Sequence, residues 1–255
     1  MKYGLLGKVL GHSYSPRIHA LLGNPSYELC ALPEDALPAF LKEKAFLGLN
    51  VTIPYKQTVI PYLSDVSEQA KAIGSVNTIV KDASGALHGY NTDYFGLLAM
   101  ADRADIRLEG KKVLVLGSGG TSLTARAVAR FEHAREVVVI SRTGEDNYGN
   151  LERHADADVI INTTPVGMYP NVDAAPLSLS GFPKLSAVLD VIYNPLETKL
   201  LAEARKRCIP CANGLYMLVA QAKYADDLFF DRKRPDTLIQ DVYEELVREV
   251  RKENN

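Results

Sequence analysis

The feature that most constrains the fold is a short apolar run at residues 113–116 that leads directly into a glycine-rich turn. The run reads Val-Leu-Val-Leu without polar alternation, which is typical of a strand buried on both faces of a parallel sheet. The turn at residues 117–122 reads Gly-Ser-Gly-Gly-Thr-Ser and opens a predicted helix at residues 121–131. Glycines at such a junction let the backbone approach a pyrophosphate, whose charge the helix N-terminus stabilises. The junction predicts a dinucleotide-binding fold, although Ser122 stands at the third glycine position of the motif.

The same alternation of strands and helices extends along the chain. After the glycine turn, buried strands are predicted at residues 137–140, 159–161 and 188–191, an order typical of a doubly wound, Rossmann-type domain. Before it, short apolar runs alternate with helical stretches, which predicts an N-terminal α/β domain with a mainly parallel mixed sheet. Residues 235–252 form an amphipathic helix, which we expect to pack on that N-terminal domain. The candidate strands of the N-terminal domain are residues 3–6, 27–31, 49–52, 76–80 and 87–90.

The end of the second strand in the Rossmann-type domain selects the dinucleotide. NAD-dependent enzymes place an aspartate or glutamate about 20 residues after the glycines, where it holds the ribose 2′-hydroxyl. Residues 140–143 read Ile-Ser-Arg-Thr instead, and the planar guanidinium of Arg142 suits a phosphate. The sequence therefore predicts NADP. Two alternatives stay open: Arg142 merely solvates a loop, or Glu145 and Asp146 reach the ribose and favour NAD.

Composition and charge argue against several other classes of protein. The 255 residues carry a net charge of −2, which argues against nucleic acid or an anionic membrane as a partner. No run reaches the roughly 18 apolar residues that span a bilayer, and no signal-peptide pattern follows Met1, so we expect a cytoplasmic protein. Three cysteines give no disulfide framework. Cys208 and Cys211 form a C-x-x-C pattern that is predicted to lead into a turn; we interpret it as packing and expect no metal site.

A lysine and a carboxylate are the best candidates for proton transfer. Reduction of a ketone by a dinucleotide leaves negative charge on oxygen, so a proton donor must lie close to it. Lys56 and Asp93 each follow a predicted strand, where side chains project from the carboxyl edge of a sheet. The carboxylate would orient the ammonium, and the ammonium would give up its proton. From spacing alone, the alternatives are a solvated lysine and an aspartate that caps a helix.

Six motifs follow one another along the chain. They read His-Ser-Tyr-Ser-Pro (12–16), Asn-Val-Thr-Ile-Pro-Tyr-Lys (50–56), Val-Asn-Thr (76–78), Asn-Thr-Asp (91–93), Asn-Thr-Thr-Pro-Val-Gly-Met (162–168) and Gly-Leu-Tyr-Met-Leu (214–218), with Gln221 and Ala222 close behind. In order and approximate spacing these motifs resemble shikimate dehydrogenases, the family that includes the quinate/shikimate dehydrogenases. The resemblance covers essentially the whole chain.

The resemblance implies a fold, a reaction and separate roles for two domains. It implies the reversible reduction of 3-dehydroshikimate to shikimate by NADPH, a step in the biosynthesis of chorismate and the aromatic amino acids. It implies a substrate-binding and catalytic domain at residues 1–93 and 214–255, and an NADP-binding Rossmann-like domain at residues 94–213, with the active site in the cleft between them. The expected partner is a small-molecule substrate, and the expected assembly is a monomer or a homodimer.

The resemblance also implies roles for individual residues. Lys56 and Asp93 would form the catalytic pair, with Asp93 also touching the substrate. The other residues implied to bind substrate are Ser13, Ser15, Thr52, Asn77, Tyr193 and Gln221. The residues implied to bind the cofactor are Gly117, Ser118, Gly119, Gly120, Thr121, Ser141, Arg142, Thr143, Thr163, Val191, Gly214, Met217 and Glu68.

The chain departs from the family pattern at a few positions. The phosphate loop has Thr121 where alanine is usual, Ser141 replaces an asparagine at the strand tip, and Ala20 stands where asparagine is common. These changes affect local fit. Two rival functions remain: a quinate/shikimate dehydrogenase that uses NAD(P), and a non-catalytic protein that senses metabolites of the pathway. The second would be marked by loss of Lys56 or Asp93, and both are present.

Overall fold

A computed structural model describes residues 1–11 and 13–253. The chain forms two compact units: unit 1 holds Met1–Phe95 and the chain from Val219 onward, and unit 2 holds Gly96–Leu218. The predicted α/β fold is confirmed, because one unit contains a mixed sheet and the other a parallel sheet. His12, the first residue of the motif at 12–16, lies outside the described residues.

Unit 1 is built on a six-stranded sheet in the order β2-β1-β3-β5-β6-β4. Pairs β1–β2, β1–β3 and β4–β6 are parallel, whereas β3–β5 and β5–β6 are antiparallel. Leu6, Leu49 and Ile79 are fully buried in it and form part of an aliphatic core. The strands are β1 (Tyr3–Gly7), β2 (Tyr27–Ala31), β3 (Gly48–Val51), β4 (Asp65–Val66), β5 (Thr78–Lys81) and β6 (Leu87–Tyr90).

Short helices connect these strands. They are α1 (Ser15–Leu21), α2 (Leu37–Glu43) and α3 (Glu68–Ile73), and α4 (Thr92–Arg103) follows the last strand. Ser67 starts α3 as a typical N-cap, because its hydroxyl accepts a hydrogen bond from the Ala70 N–H at 3.2 Å.

Unit 2 contains a five-stranded parallel sheet in the order β11-β10-β9-β7-β8. Every residue of β7 is buried, as the unalternating apolar run predicts. The helices α5 (Gly120–Phe131) and α6 (Lys199–Lys206) belong to this unit, and the apolar face of α6 packs on its core through Leu200, Leu201 and Ala204. The strands are β7 (Lys112–Leu116), β8 (Glu136–Ile140), β9 (Val159–Asn162), β10 (Ala187–Asp190) and β11 (Cys211–Asn213).

Strand β11 corrects the prediction of a turn at the C-x-x-C pattern. Cys208 is exposed and has the left-handed backbone angle φ +54°, whereas Cys211 starts β11 and pairs in parallel with Val188. Both cysteines are free, and Cys211 packs on the core of unit 2 while Cys208 does not. A three-residue edge strand is too short to leave a period-two pattern in the sequence, which is why this one was missed.

Two helices complete the chain: α7 (Leu215–Phe229) and α8 (Thr237–Glu253). In unit 1, α8 packs on α1 and buries Ile239, Val242, Leu246 and Val250. Among the described residues, no helix is long and apolar enough to cross a membrane.

Candidate active site

The topology of unit 1 brings Lys56 and Asp93 together. Strands β3 and β6 point the same way because each is antiparallel to β5, so their carboxyl ends lie at one edge of the sheet. Lys56 lies in the turn after β3, and Asp93 lies in the first turn of α4, directly after β6. Their side chains meet there: Lys56 Nζ donates to Asp93 Oδ2 at 2.5 Å.

Burial excludes the simpler interpretations of both residues. The side chains of Lys56 and Asp93 are only 14% and 10% exposed, so the lysine is not a solvated surface charge. The N-terminus of α4 is capped by Asn91, whose Oδ1 accepts from the Tyr94 N–H at 3.1 Å. Asp93 is therefore not the capping residue, and its carboxylate orients the lysine ammonium.

Asn77 and Gln221 meet beside this pair although they are far apart in the sequence. Asn77 is 2% exposed; its Oδ1 accepts from the Thr92 N–H at 2.6 Å, and its Nδ2 lies 3.5 Å from Gln221 Oε1. The bond to Thr92 joins Asn77 to the start of α4, one residue before Asp93. Two predicted substrate residues and the predicted catalytic aspartate thus share one corner of unit 1.

A buried network of hydrogen bonds positions Asn77. Sequence reasoning gave no role to the other members of this network, which are Tyr27, Asn50 and Thr78. Asn50 Nδ2 donates to Thr78 Oγ1 at 3.1 Å, and Asn50 Oδ1 accepts from the Tyr27 hydroxyl at 2.8 Å. The Thr78 hydroxyl in turn donates to Asn77 Oδ1 at 3.0 Å. Asn50 and Thr78 lie inside motifs that the sequence does reveal, whereas nothing in the sequence around Tyr27 marks it.

The other predicted substrate residues are distributed over both units. Ser15 is 7% exposed, and its N–H donates to Ser13 Oγ at 3.2 Å, so these two hydroxyl residues are adjacent. Thr52 follows β3 directly, and its N–H donates to the Leu6 carbonyl at 2.8 Å. Tyr193 lies in unit 2, three residues after β10, where burial raises its pKa.

The glycine turn of unit 2 has the shape that a pyrophosphate requires. Gly117 has φ +103°, and a Cβ there would lie 2.9 Å from Thr163 Oγ1, so only glycine fits. Ser118 and Gly119 are exposed, and α5 starts at Gly120 with N–H groups that have no partner within the helix. An exposed, side-chain-poor turn at the N-terminus of a twelve-residue helix fits the cofactor that the sequence predicts.

Thr163 lies at the topological switch point of this sheet. Strand β7 is flanked by β8 and β9, and the Thr163 hydroxyl donates to the Leu116 carbonyl at the end of β7 at 2.6 Å. The loops after β7 and β9 are thereby joined at the crevice where doubly wound sheets bind ligands.

Arg142 is available to an anion at the tip of β8. Arg142 and Thr143 are exposed and Ser141 is partly buried. Among the described residues, no carboxylate lies within ion-pair distance of Arg142. Burial raises the pKa of the nearby Tyr148 hydroxyl, and the positive charge of Arg142 opposes that rise.

The remaining predicted cofactor residues are not all in one place. Gly214 packs so closely on Val191 that a Cβ would lie 1.9 Å from the Val191 carbonyl oxygen, and Met217 is 7% exposed. These three lie in unit 2 with the glycine turn. Glu68 lies in unit 1 instead, 92% exposed and paired with Lys71 at 2.8 Å.

Asp190 is a buried carboxyl group that the sequence did not single out. It is fully buried at the end of β10, and it accepts hydrogen bonds from Asn162 Nδ2 at 3.0 Å, the Ile192 N–H at 3.1 Å and the Thr198 hydroxyl at 2.7 Å. Burial raises the pKa of Asp190 to about 6. The group holds together three segments at the carboxyl edge of the sheet. Among the described residues, no cluster of three or more metal-binding side chains occurs.

The fold and these sites define a class of protein: a dinucleotide-dependent oxidoreductase with a Rossmann-type unit and a separate α/β unit that carries a lysine–aspartate pair. The family model for the shikimate dehydrogenase substrate binding domain matches residues 5–79. A shikimate dehydrogenase (NADP(+)) from Clostridium perfringens is 38% identical over 266 residues, covering 96% of this chain and 97% of the relative. The chain belongs to the shikimate dehydrogenase family, as its motifs predict.

Solved structures of relatives have the same fold. Shikimate 5-dehydrogenase from Thermus thermophilus, in complex with NADP(H) and shikimate, is 32% identical with a TM-score of 0.85, covering 96% of this chain and 99% of that one. Quinate dehydrogenase from Corynebacterium glutamicum, in complex with NAD, is 27% identical with a TM-score of 0.85, covering 96% and 99%.

Proposed function

We propose that this protein is an NADP-dependent shikimate dehydrogenase, which reversibly reduces 3-dehydroshikimate to shikimate on the route to chorismate and the aromatic amino acids. The observation that carries the proposal is the largely buried pair of Lys56 and Asp93 at the carboxyl edge of the unit 1 sheet, where Lys56 Nζ lies 2.5 Å from Asp93 Oδ2. The relative from Clostridium perfringens, named for shikimate and NADP, supports it.

Lys56 supplies the proton in this reaction. NADPH, when bound, would supply a hydride to the ketone carbon, and negative charge would then develop on the carbonyl oxygen. Lys56 Nζ donates a proton to that oxygen, and Asp93 orients the ammonium through its bond to Nζ. In the reverse direction the Lys56 amine accepts the hydroxyl proton of shikimate. Low exposure of both side chains strengthens their electrostatic effect.

Neutral donors bind the rest of the substrate. Asn77 and Gln221 form hydrogen bonds to ring hydroxyls of the substrate, as do Thr52 and Tyr193. Asn77 Nδ2 lies 3.5 Å from Gln221 Oε1. The hydroxyls of the neighbouring residues Ser13 and Ser15 bind the carboxylate of the substrate, since a hydroxyl group can donate a hydrogen bond to an anion.

Unit 2 holds the cofactor. The turn at residues 117–121 and the N-terminus of α5 bind the pyrophosphate, and Arg142 with its neighbours Ser141 and Thr143 binds the 2′-phosphate. Thr163, Val191, Gly214 and Met217 lie along the remainder of the cofactor. A role for Glu68, a cytoplasmic location and a monomeric or dimeric state stay predictions.

One alternative has a specific observation in its favour. The similarity to the quinate dehydrogenase of Corynebacterium glutamicum, bound to NAD, favours a quinate/shikimate dehydrogenase. Against it, Arg142 at the strand tip forms no ion pair with any described residue, and the two nearby carboxylates bind other residues. We therefore favour shikimate with NADP.

The proposal is tested by the reduction of NADP⁺ at 340 nm with shikimate, in wild type and in Lys56→Ala. The variant should lose about 100- to 10,000-fold in kcat while KM for shikimate stays within a few-fold, because the lysine acts on transition-state charge. Lys42→Ala, an exposed lysine on α2, is the matched control and should keep wild-type rates. Near wild-type turnover in a folded Lys56→Ala protein removes the lysine from the mechanism.

A further inference from the structure

The turn after β8 brings a carboxylate beside the proposed 2′-phosphate site. Residues 141–146 fold back on themselves, since the Ser141 N–H donates to the Asp146 carbonyl oxygen at 3.2 Å. The turn is tight: a Cβ at Gly144 would lie 2.6 Å from Ser141 Oγ. The Asp146 backbone thus lies next to the strand tip, with Arg142 on the same turn. The direction of the Asp146 side chain then decides whether its charge meets a ligand bound at the tip.

Side-chain amides fix the backbone of this turn. Asn147 Nδ2 donates to the Gly144 carbonyl at 3.1 Å, and Asn150 Nδ2 donates to the Glu145 carbonyl at 2.9 Å. Asn150 Oδ1 also accepts from the Asn147 N–H at 2.9 Å. With the backbone fixed, rotation of the acidic side chains is the main freedom that remains.

Contacts from the 3-10 turn at Leu151–His154 restrict rotation of the Asp146 side chain. His154 is 6% exposed, and its Nε2 lies 2.8 Å from Asp146 Oδ1. Arg153 Nη1 lies 3.3 Å from the same oxygen, and Arg153 Nη2 lies 3.8 Å from Glu145 Oε1. His154 Nδ1 is buried without a hydrogen-bond partner in the described chain, so Asp146 is what fixes the ring. Both acids are therefore paired, whereas no described carboxylate forms an ion pair with Arg142.

We propose that His154 and Arg153 are positioning residues for cofactor selectivity, which hold the Asp146 carboxylate away from the 2′-phosphate site at Arg142. The inference rests on the proposed function, in which Arg142 binds that phosphate. A released carboxylate would repel the phosphate of NADP and compete for the Arg142 guanidinium. It would also accept a hydrogen bond from the 2′-hydroxyl of NAD, as an acidic strand-tip residue does.

Equilibrium binding tests the inference without relying on turnover. Isothermal titration calorimetry gives the Kd of NADP⁺ and of NAD⁺ for wild type and for His154→Phe, which removes the bond to Asp146. The preference for NADP⁺ should fall about three- to tenfold, because a freed carboxylate repels the 2′-phosphate through partly solvent-exposed surroundings. Adding Asp146→Asn to His154→Phe should restore the preference to within about twofold, because the freed side chain is then neutral.

A second pair of variants covers the case in which His154→Phe does not fold. Arg153 is 51% exposed, so Arg153→Met leaves packing intact; the preference should fall about two- to threefold, and Arg153→Lys should retain it. An unchanged preference in the folded variants overturns the inference, as does a fall that Asp146→Asn does not reverse. Arg142→Ala distinguishes failure of this inference from failure of the proposed cofactor assignment. If it leaves the Kd of NADP⁺ unchanged, the proposed cofactor assignment fails, and this inference fails with it.

Discussion

Lys56 and Asp93 are 37 residues apart in the sequence and are of types that usually lie in solvent. In this fold each follows a strand of the same sheet, and the two strands end at the same edge. Burying two opposite charges costs free energy unless both are well hydrogen-bonded, so a nearly buried ion pair at a sheet edge indicates a functional role. We propose that this role is proton transfer.

Arg142 allows a direct test of cofactor selection. Arg142→Asp should lower kcat/KM for NADPH about 100-fold and change that for NADH by no more than about threefold, because charge-assisted bonds to the 2′-phosphate are replaced by repulsion. Steady-state kinetics with both cofactors measures this. Arg205→Asp, an exposed arginine on α6, is the control and should leave the ratio unchanged. Equal losses for NADPH and NADH would show that Arg142 does not bind the 2′-phosphate.

Among individual residues, the sequence singled out the groups that we propose to contact ligands, but it gave no role to the groups that support them. Lys56, Asp93 and Arg142 were found from strand-end position and chemical type. The Asn50 network, Asp190 and His154 were given no role, because a buried polar group becomes recognisable only when its partners are known, and those partners come from distant segments.

Asp190 joins the ends of β9, β10 and α6 through three hydrogen bonds, and no cation compensates its charge within the described chain. Its raised pKa, about 6 against 3.8, means that the folded protein holds a proton that the unfolded chain has lost. The group is neutral in both states below pH 4. Stability therefore falls as pH rises from about 4 to about 6, by up to about 3 kcal/mol, and stays lower above that.

Asp190→Asn should remove this pH dependence. The asparagine oxygen can accept from Asn162 and from the Ile192 N–H, and its amide can donate to Thr198, so packing is kept. We expect the free energy of unfolding of the variant, relative to wild type, to rise by about 2–3 kcal/mol between pH 4 and pH 7. Urea denaturation at a series of pH values measures it, with the exposed Asp173→Asn as control. Parallel curves for Asp190→Asn and wild type would contradict the assignment.

Among the secondary-structure elements, short apolar runs located most strands to within about two residues. Candidate strands at 27–31 and 87–90 coincide with β2 and β6, and that at 113–116 lies one residue inside β7. The strands β4 and β11, of two and three residues, were not found. Such short edge strands depend on pairing with a neighbour, which no local pattern records.

For the whole molecule, the family followed from the ordered motifs, and the α/β class followed from the alternation of strand and helix patterns. The sequence placed the division at residues 93/94 and 213/214, close to where α4 and α7 begin. The two compact units of the structure divide within these helices, after Phe95 and after Leu218, and the domain bounds that the resemblance implies stay a prediction. A continuous helix carries no linker composition, so the sequence gives no sign of a boundary inside it.

The proposed preference for shikimate and NADP⁺ is tested most directly by comparing four reactions catalysed by the intact protein. Initial rates at 340 nm give kcat/KM for shikimate and for quinate, each with NADP⁺ and with NAD⁺. Shikimate with NADP⁺ should be the best pair by at least about tenfold, because no described carboxylate forms an ion pair with Arg142 and the two nearby carboxylates bind other residues. A higher kcat/KM for quinate with NAD⁺ would contradict it.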